Sequence, residues 1–216
     1  MNIRDLSVEA PRLLRWARKN GRQPPWRSAQ GAYPVALAEV LLQKTKATDV
    51  EPVWEQLIAR FPTAESLAGA DAKRVHQIVA ALGLGTQRTA RLKALAKALV
   101  QAGLDGPGSG LGPYGLAVAS LSAGRQPFTV PVDGNIARVV CRFYGLRFDR
   151  GEPRKKPEVK AAVERLLDAR RRPEAKLRVL YALVDLGAAV CKPARPACEA
   201  CPLSSTCEFS KTSGCL

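Results

Sequence analysis

Cys191-Lys192-Pro193-Ala194-Arg195-Pro196-Ala197-Cys198-Glu199-Ala200-Cys201-Pro202-Leu203-Ser204-Ser205-Thr206-Cys207 holds four of the chain's six cysteines, spaced C-x6-C-x2-C-x5-C. Prolines 193, 196 and 202 keep the intervening segment out of helix, so the four thiols are free to converge on one point. Four thiolates around one point make a metal site, and a structural zinc and an iron–sulfur cluster both accept such a donor set. Two disulfides or scattered buried thiols are the competing reading. Spacing alone leaves zinc and cluster open.

Working outward, the loop follows an apolar helical stretch ending Asp185-Leu186-Gly187-Ala188-Ala189-Val190. The whole chain has 216 residues, 46% hydrophobic and 25% charged, which is globular composition with room for one sizeable core or two smaller lobes. Its formal net charge of +15 implies a polyanionic partner, nucleic acid above all. No apolar run approaches the roughly 20 residues that span a bilayer, so no membrane partner is expected. Met1–Glu9 lacks the apolar core of a signal peptide. A cytoplasmic location is therefore expected, nucleoid-associated in a bacterium or archaeon, where clustered thiols hold metal more often than they pair. Cys141, on an apolar helical stretch, reads as a buried thiol, and Cys215 as a residue without a role.

Apolar residues recur at helical spacing nearly everywhere. Residues 7–19 form a basic amphipathic helix stopped at Asn20-Gly21, followed by the rigid Pro24-Pro25-Trp26-Arg27. Two helices fill residues 33–60 with a break near 45–48, and Phe61-Pro62-Thr63 ends the second and caps a third. Further helices are expected at 72–82, 86–101, 116–123, from Asp133 onward, 157–170 and 174–188. Nothing alternates with period two, and there is no internal repeat. The fold class is all-α.

Three places could carry chemistry. Residues 103–115 are glycine-rich and cannot be helix, and Gly110-Leu111-Gly112 before a helix start lets backbone N–H groups approach a phosphate. A flexible turn would look the same. Asp133 stands at a helix start, where an aspartate is commonly a cap. Glu39 sits among Leu37, Ala38, Val40, Leu41 and Leu42; a carboxyl in such surroundings has a raised pKa and can donate a proton near neutrality.

Taken together, these features resemble the helix-hairpin-helix DNA glycosylases of the endonuclease III and MutY type, from about Pro25 to Cys207. The resemblance implies a two-lobed helical fold, with residues 27–132 as a six-helix lobe and residues 1–26 plus 133–216 as a cluster lobe. DNA would lie between the lobes, near Asp133. It also decides for a [4Fe–4S] cluster on Cys191, Cys198, Cys201 and Cys207, whose loop would present Lys192 and Arg195 to phosphates. Gly108-Ser109-Gly110-Leu111-Gly112-Pro113-Tyr114-Gly115 is similar to the family's hairpin, with Gly110, Gly112 and Gly115 at the DNA. Its leading Leu-Pro and closing Thr are absent, and the helix before it is missing or very short. Val132-Asp133-Gly134-Asn135-Ile136-Ala137-Arg138 resembles the catalytic-aspartate motif, the carboxylate stabilising an oxocarbenium-like centre.

Tyr114 stands where the family's bifunctional members carry a lysine that attacks the sugar. A monofunctional, water-using enzyme is thus implied; Lys44 and Lys46 do not occupy that position. By the same resemblance Glu39 protonates or orients the leaving base or holds a water, Gln43-Lys44 reaches into the gap left by the flipped nucleotide, and Arg88, Asn135 and Arg138 lie on the DNA. Ala38-Glu39-Val40-Leu41-Leu42, the lack of a Gly-Tyr-Tyr turn at 83–88 and the absence of room for a lesion-sensing C-terminal domain lean towards a thymine-mismatch glycosylase. The expected substrate is duplex DNA with T or U opposite G, and the protein a monomer. A MutY-like adenine glycosylase acting opposite G or 8-oxoguanine is the alternative, and a DNA-binding module without catalysis the third reading.

Overall fold

The computed structural model describes residues 5–105, 108–127, 129–148 and 151–212. Cys215 lies outside them. Every regular element among the described residues is helical, as the periodicity predicts. The α-helices are α1 (Leu6–Asn20), α2 (Ala32–Leu41), α3 (Ala47–Arg60), α4 (Ala64–Gly69), α5 (Ala72–Val79), α6 (Gly85–Ala102), α7 (Pro113–Ser122), α8 (Gly134–Tyr144), α9 (Pro157–Asp168), α10 (Pro173–Ala189) and α11 (Glu208–Thr212). Contacts divide the chain into two units, residues 23–129 and residues 1–22 with 130–216.

Residues 23–129 are built around α2. Val35, Ala36, Leu37, Ala38, Val40 and Leu41 are all buried, so this helix is apolar nearly all round, as a helix enclosed by others must be. Glu39 is its exception, only partly buried. Leu57 of α3, Leu67 of α4, and Leu92 and Leu95 of α6 complete the core with no exposed surface. Trp26 and Trp54 meet edge to face at 6.0 Å, and the Trp54 indole donates to Pro34 O at 2.8 Å. Thr63 and Ser66 cap α4 reciprocally, at 3.2 and 3.1 Å. Lys93 of α6 donates to the carbonyls of Leu67 and Ala68 at the other end of that helix, where Leu67 O also accepts from the capping Ala70 N–H at 3.2 Å.

The second unit packs α8 against α10, α1 against α9 and α10, and α11 against α8. Leu6, Leu13, Ile136, Leu166 and Leu180 are fully buried in it. The chain leaves α1 under the control of Asp185 on α10. That carboxylate is 2% exposed and accepts from the Arg22 backbone N–H at 3.0 Å and from Arg22 Nε at 2.8 Å.

Three boundaries differ from the sequence expectation. The helix expected at 72–82 ends at Val79 and tightens into a 3-10 turn, Ala80–Leu82, before Gly83 and Leu84 enter the left-handed region at φ 71° and 52°. α7 starts at Pro113 rather than 116, because proline at the first position brings its fixed φ and lacks only an N–H that would be unpaired there. α11 was not foreseen, being too short to show a period. Before the glycine turn, where the preceding helix is expected to be short or missing, a single 3-10 turn stands at Gly103–Asp105.

Candidate functional site

In the 23–129 unit, the candidate side chains surround the loop after α2. Lys44 holds φ 59° and is exposed. Gln43 is tied on both sides: its Oε1 accepts from Arg91 Nη1 at 2.7 Å, and its Nε2 donates to Gly110 O at 3.4 Å. The loop is thereby joined to α6 and to the glycine turn. Gly110 requires glycine, at φ 69°, whereas Gly112 lies in ordinary extended backbone and caps α7. Neither has an atom within 4 Å of where a Cβ would stand, so the main chain is open to close approach at both. The first turn of α7 backs onto the acid. A Cβ on Gly115 would lie 3.3 Å from Glu39 Cβ and from Leu111 Cδ2. Glu39 and the Tyr114–Gly115 turn are therefore neighbours, and Tyr114 is half-buried beside them.

Arg88 is corrected by the structure. It is 6% exposed and directed inward, with Nε donating to Gly83 O at 2.9 Å, Nη1 to Leu41 O at 2.9 Å and Nη2 to Thr45 Oγ1 at 2.6 Å. Burial, then the like charge of Arg91, lowers its pKa. Arg88, expected on the DNA, fastens the loop after α2 to the turn before α6. That turn presents a residue the sequence reading passed over: Leu84, 63% exposed in a strained left-handed conformation. A leucine in an apolar-periodic region gives no hint of being on the outside.

In the other unit, Asp133 caps α8, its Oδ1 accepting from Ile136 N at 2.7 Å and its Oδ2 from Asn135 Nδ2 at 3.0 Å. It is half-buried. The cap fixes the carboxylate's orientation while using two of its roughly four acceptor positions, so capping and chemistry are compatible. Asn135 and Arg138 are placed differently from expectation. Asn135 Oδ1 accepts from Arg138 Nη2 at 2.7 Å; the same guanidinium donates to Gly187 O at 2.8 Å and, through Nε, to Cys191 O at 2.7 Å. These two side chains are occupied in holding Asp133 and in tying α8 to the start of the cysteine loop.

Helices α8 and α10 can approach because residue 187 is glycine. A Cβ there would stand 2.6 Å from Asn135 Cβ and 3.0 Å from Asn135 Cα. Alanine in a helix interior is normally about 1 kcal/mol better than glycine. Here Gly187→Ala is expected to destabilise by about 1–3 kcal/mol through overpacking and, by displacing the helix that carries Asp133, to slow whatever reaction Asp133 serves. Thermal unfolding gives the first effect. A variant more stable than the parent would contradict it.

Cys191, Cys198, Cys201 and Cys207 line one small cavity of about 20 Å³. Arg142 of α8 braces its rim. Its Nη1 donates to Cys191 Sγ at 3.4 Å and to Lys192 O at 2.7 Å, its Nη2 to Pro193 O at 2.9 Å, and its guanidinium stacks over the Phe209 ring at 4.6 Å. Burial pushes the Cys201 thiol up to about 11, with Cys191 and Cys207 adding to the effect and the backbone N–H groups of Leu203 and Ser204 opposing it. Burial likewise raises Cys207, against the N–H groups of Ser210 and Phe209. These thiols resist ionisation until a cation takes up the charge, while backbone donors already face the sulfurs. Among the described residues no group of three or more His, Cys, Asp or Glu side chains is drawn together closely enough to hold a metal ion. The four thiols share the lining of one cavity. Lys192 and Arg195 are exposed on this loop, Arg195 at φ 51°. Cys141 is partly rather than fully buried, and burial raises its thiol too.

Residues 37–168 match the model of the HhH-GPD superfamily base excision DNA repair protein. Over 92% of both chains the sequence is 29% identical to a thymine-DNA glycosylase of Aeropyrum pernix. It is 30% identical to the adenine DNA glycosylase of Homo sapiens, over 90% of this chain but only 38% of that one. A solved thermostable thymine-DNA glycosylase superposes with a TM-score of 0.78 at 25% identity, covering 94% of this chain and 95% of that one. With more than half of its length matched, the chain belongs to the HhH-GPD superfamily of base excision DNA repair proteins.

Proposed function

We propose that this protein is a monofunctional DNA glycosylase that removes a mismatched base from duplex DNA, T or U opposite G being the preferred target. The observation that carries the reading is the Asp133 carboxylate, half-exposed and held by Ile136 N–H and Asn135 at the start of α8. Breaking an N-glycosidic bond builds positive charge on the sugar, and a fixed anion stabilises that charge without having to reorganise. Glu39, beside the Tyr114–Gly115 turn, would orient the leaving base or a water. Tyr114 has no amine with which to form a Schiff base, so the product is an abasic site and the strand stays intact. The end-to-end likeness to a thymine-DNA glycosylase favours the thymine branch. Adenine removal opposite G or 8-oxoguanine is the second reading, favoured by 30% identity to the human adenine glycosylase, of which this chain spans 38%.

The net charge of +15 supports binding to the phosphate backbone, with Lys44, Lys192 and Arg195 as exposed contacts and the open main chain at Gly110 and Gly112 receiving a phosphate. Leu84 would act as an apolar wedge, filling the stack where a base has been turned out. Leu84→Ala is expected to forgo about 1.5 kcal/mol of apolar burial, roughly tenfold in affinity for a mismatched duplex, with thermal stability unchanged because the side chain is outside the core. Equal affinity for parent and variant would remove Leu84 from the interface.

We further propose that the four-cysteine cavity holds a [4Fe–4S] cluster. Four thiols lining one cavity, with backbone N–H groups on two of the sulfurs, suit such a group. When bound, the cluster would fold the loop carrying Lys192 and Arg195. Base hydrolysis needs no electron from it.

The deciding experiment is single-turnover base release on duplexes carrying G·T, G·U, A·8-oxoguanine and A·G, with and without alkali. Cutting of G·T and G·U only after alkali fits the proposal. Adenine release moves the protein to the second reading, and cutting without alkali reveals an amine nucleophile. Tight binding with no release anywhere leaves a binding module.

A further inference from the structure

The cysteine cavity is also lined by Ser210. This serine is 1% exposed, and its hydroxyl has no hydrogen-bond partner. Neighbouring hydroxyls behave otherwise: Thr206 donates to Leu203 O at 3.2 Å and Thr212 to Glu208 O at 2.9 Å, the usual way a side-chain hydroxyl near a helix satisfies itself. Ser210 makes no such bond, and none of the four cysteine sulfurs serves it as an acceptor. A buried, unbonded hydroxyl is destabilising and uncommon in native proteins. Its natural acceptor is whatever fills the cavity.

That requirement selects among occupants. Zinc held by the four cysteines would offer a hydroxyl only their thiolate sulfurs, none of which Ser210 reaches, whereas an iron–sulfur cluster adds sulfide inside the cavity. Ser210 stands three residues beyond Cys207, one helical turn on, and its backbone N–H already bonds the Cys207 sulfur. Main chain and side chain of one residue thus supply donors to the same site.

We propose that the Ser210 hydroxyl donates a hydrogen bond to a sulfur of the iron–sulfur group held by Cys191, Cys198, Cys201 and Cys207, and so raises that group's reduction potential. This inference rests on the cluster reading above. Reduction adds negative charge to the sulfurs, so a donor stabilises the reduced form more than the oxidised one. Ser210 is a positioning and tuning residue; it does not touch the DNA base.

The test uses the full chain purified anaerobically with its native metal content. Iron, zinc and acid-labile sulfide are measured first, then the one-electron potential by voltammetry for the parent and Ser210→Ala. The expected result is iron and sulfide in equal amounts in both proteins. At a fixed potential the variant should have a reduced-to-oxidised ratio about tenfold lower, which is 59 mV for one electron. An unchanged potential in a fully loaded Ser210→Ala protein overturns the hydrogen bond while leaving the cluster reading intact. Zinc without sulfide in the parent overturns both, and metal analysis alone distinguishes that case. Should Ser210→Ala fail to hold the group, Ser210→Thr and Ser210→Val, alike in shape and different in the hydroxyl, replace it. A threonine variant at the parental potential with the valine variant below it supports the bond; equal potentials overturn it.

Discussion

Asp133→Asn is expected to slow single-turnover base release by about 10²- to 10³-fold, the magnitude lost when one oriented electrostatic group is removed from a catalytic site, while the fold persists. Asparagine caps a helix as well as aspartate, and its Oδ1 can still accept from Ile136 N–H, now at 2.7 Å. The second position is less favourable. Where Asp133 Oδ2 accepts from Asn135 Nδ2 at 3.0 Å, asparagine would set one NH₂ against another. Asn135 could turn over to present its oxygen only by withdrawing it from Arg138 Nη2. The stability change should therefore stay near 1 kcal/mol, far below the loss in rate. Base release, thermal unfolding and duplex binding measured on one preparation separate these effects. Release at the parental rate would remove Asp133 from the chemistry.

With the proposed cluster in place, Cys201→Ala should have the largest effect on stability, about 4 kcal/mol or more, since loss of a bound metal group is among the few single changes able to do this. The cavity among Cys191, Cys198, Cys201 and Cys207 would lose both a ligand and the reason for its loop to close. Unravelling would then reach the bonds that depend on the loop: Arg138 to Cys191 O, and Arg142 to the carbonyls of Lys192 and Pro193. Residues 23–129 have their own core around α2 and should keep their hydrogen-exchange protection. Cys141→Ala is the matched control, because Cys141 does not line the cavity. Full iron content and an unshifted melting temperature in Cys201→Ala would contradict the assignment of the loop.

The helices were legible because burial imposes a period on the sequence. The thiol spacing was legible because prolines and close cysteines constrain a loop wherever it lies. Side-chain destinations were not. Arg88 and Arg138 look in sequence like any basic residue of a strongly cationic protein, yet the folded chain uses both on carbonyl oxygens. That choice depends on which carbonyls another helix leaves unpaired nearby, a fact about tertiary structure that no local pattern carries. Leu84 escaped notice for the converse reason, its exposure following from a backbone turn at φ 52°. Gly187 likewise matters only through what faces it, Asn135 on a helix about fifty residues earlier.

The unit that contains the four-cysteine loop is assembled from residues 1–22 and 130–216, with residues 23–129 inserted between them. Synthesis runs from one end only. The apolar face of α1, Leu6, Ala10 and Leu13, leaves the ribosome with its partners α9 and α10 still unmade, while the intervening unit has every one of its own segments at hand. The middle of the protein is thus expected to fold first, with α1 waiting, kept soluble by the arginines and lysine on its polar side. Cys191–Cys207 follows α10, so the loop is threaded only after the surface it will rest on exists. Protease protection of ribosome-held chains of increasing length would register this order, residues 23–129 becoming resistant while α1 is still cut.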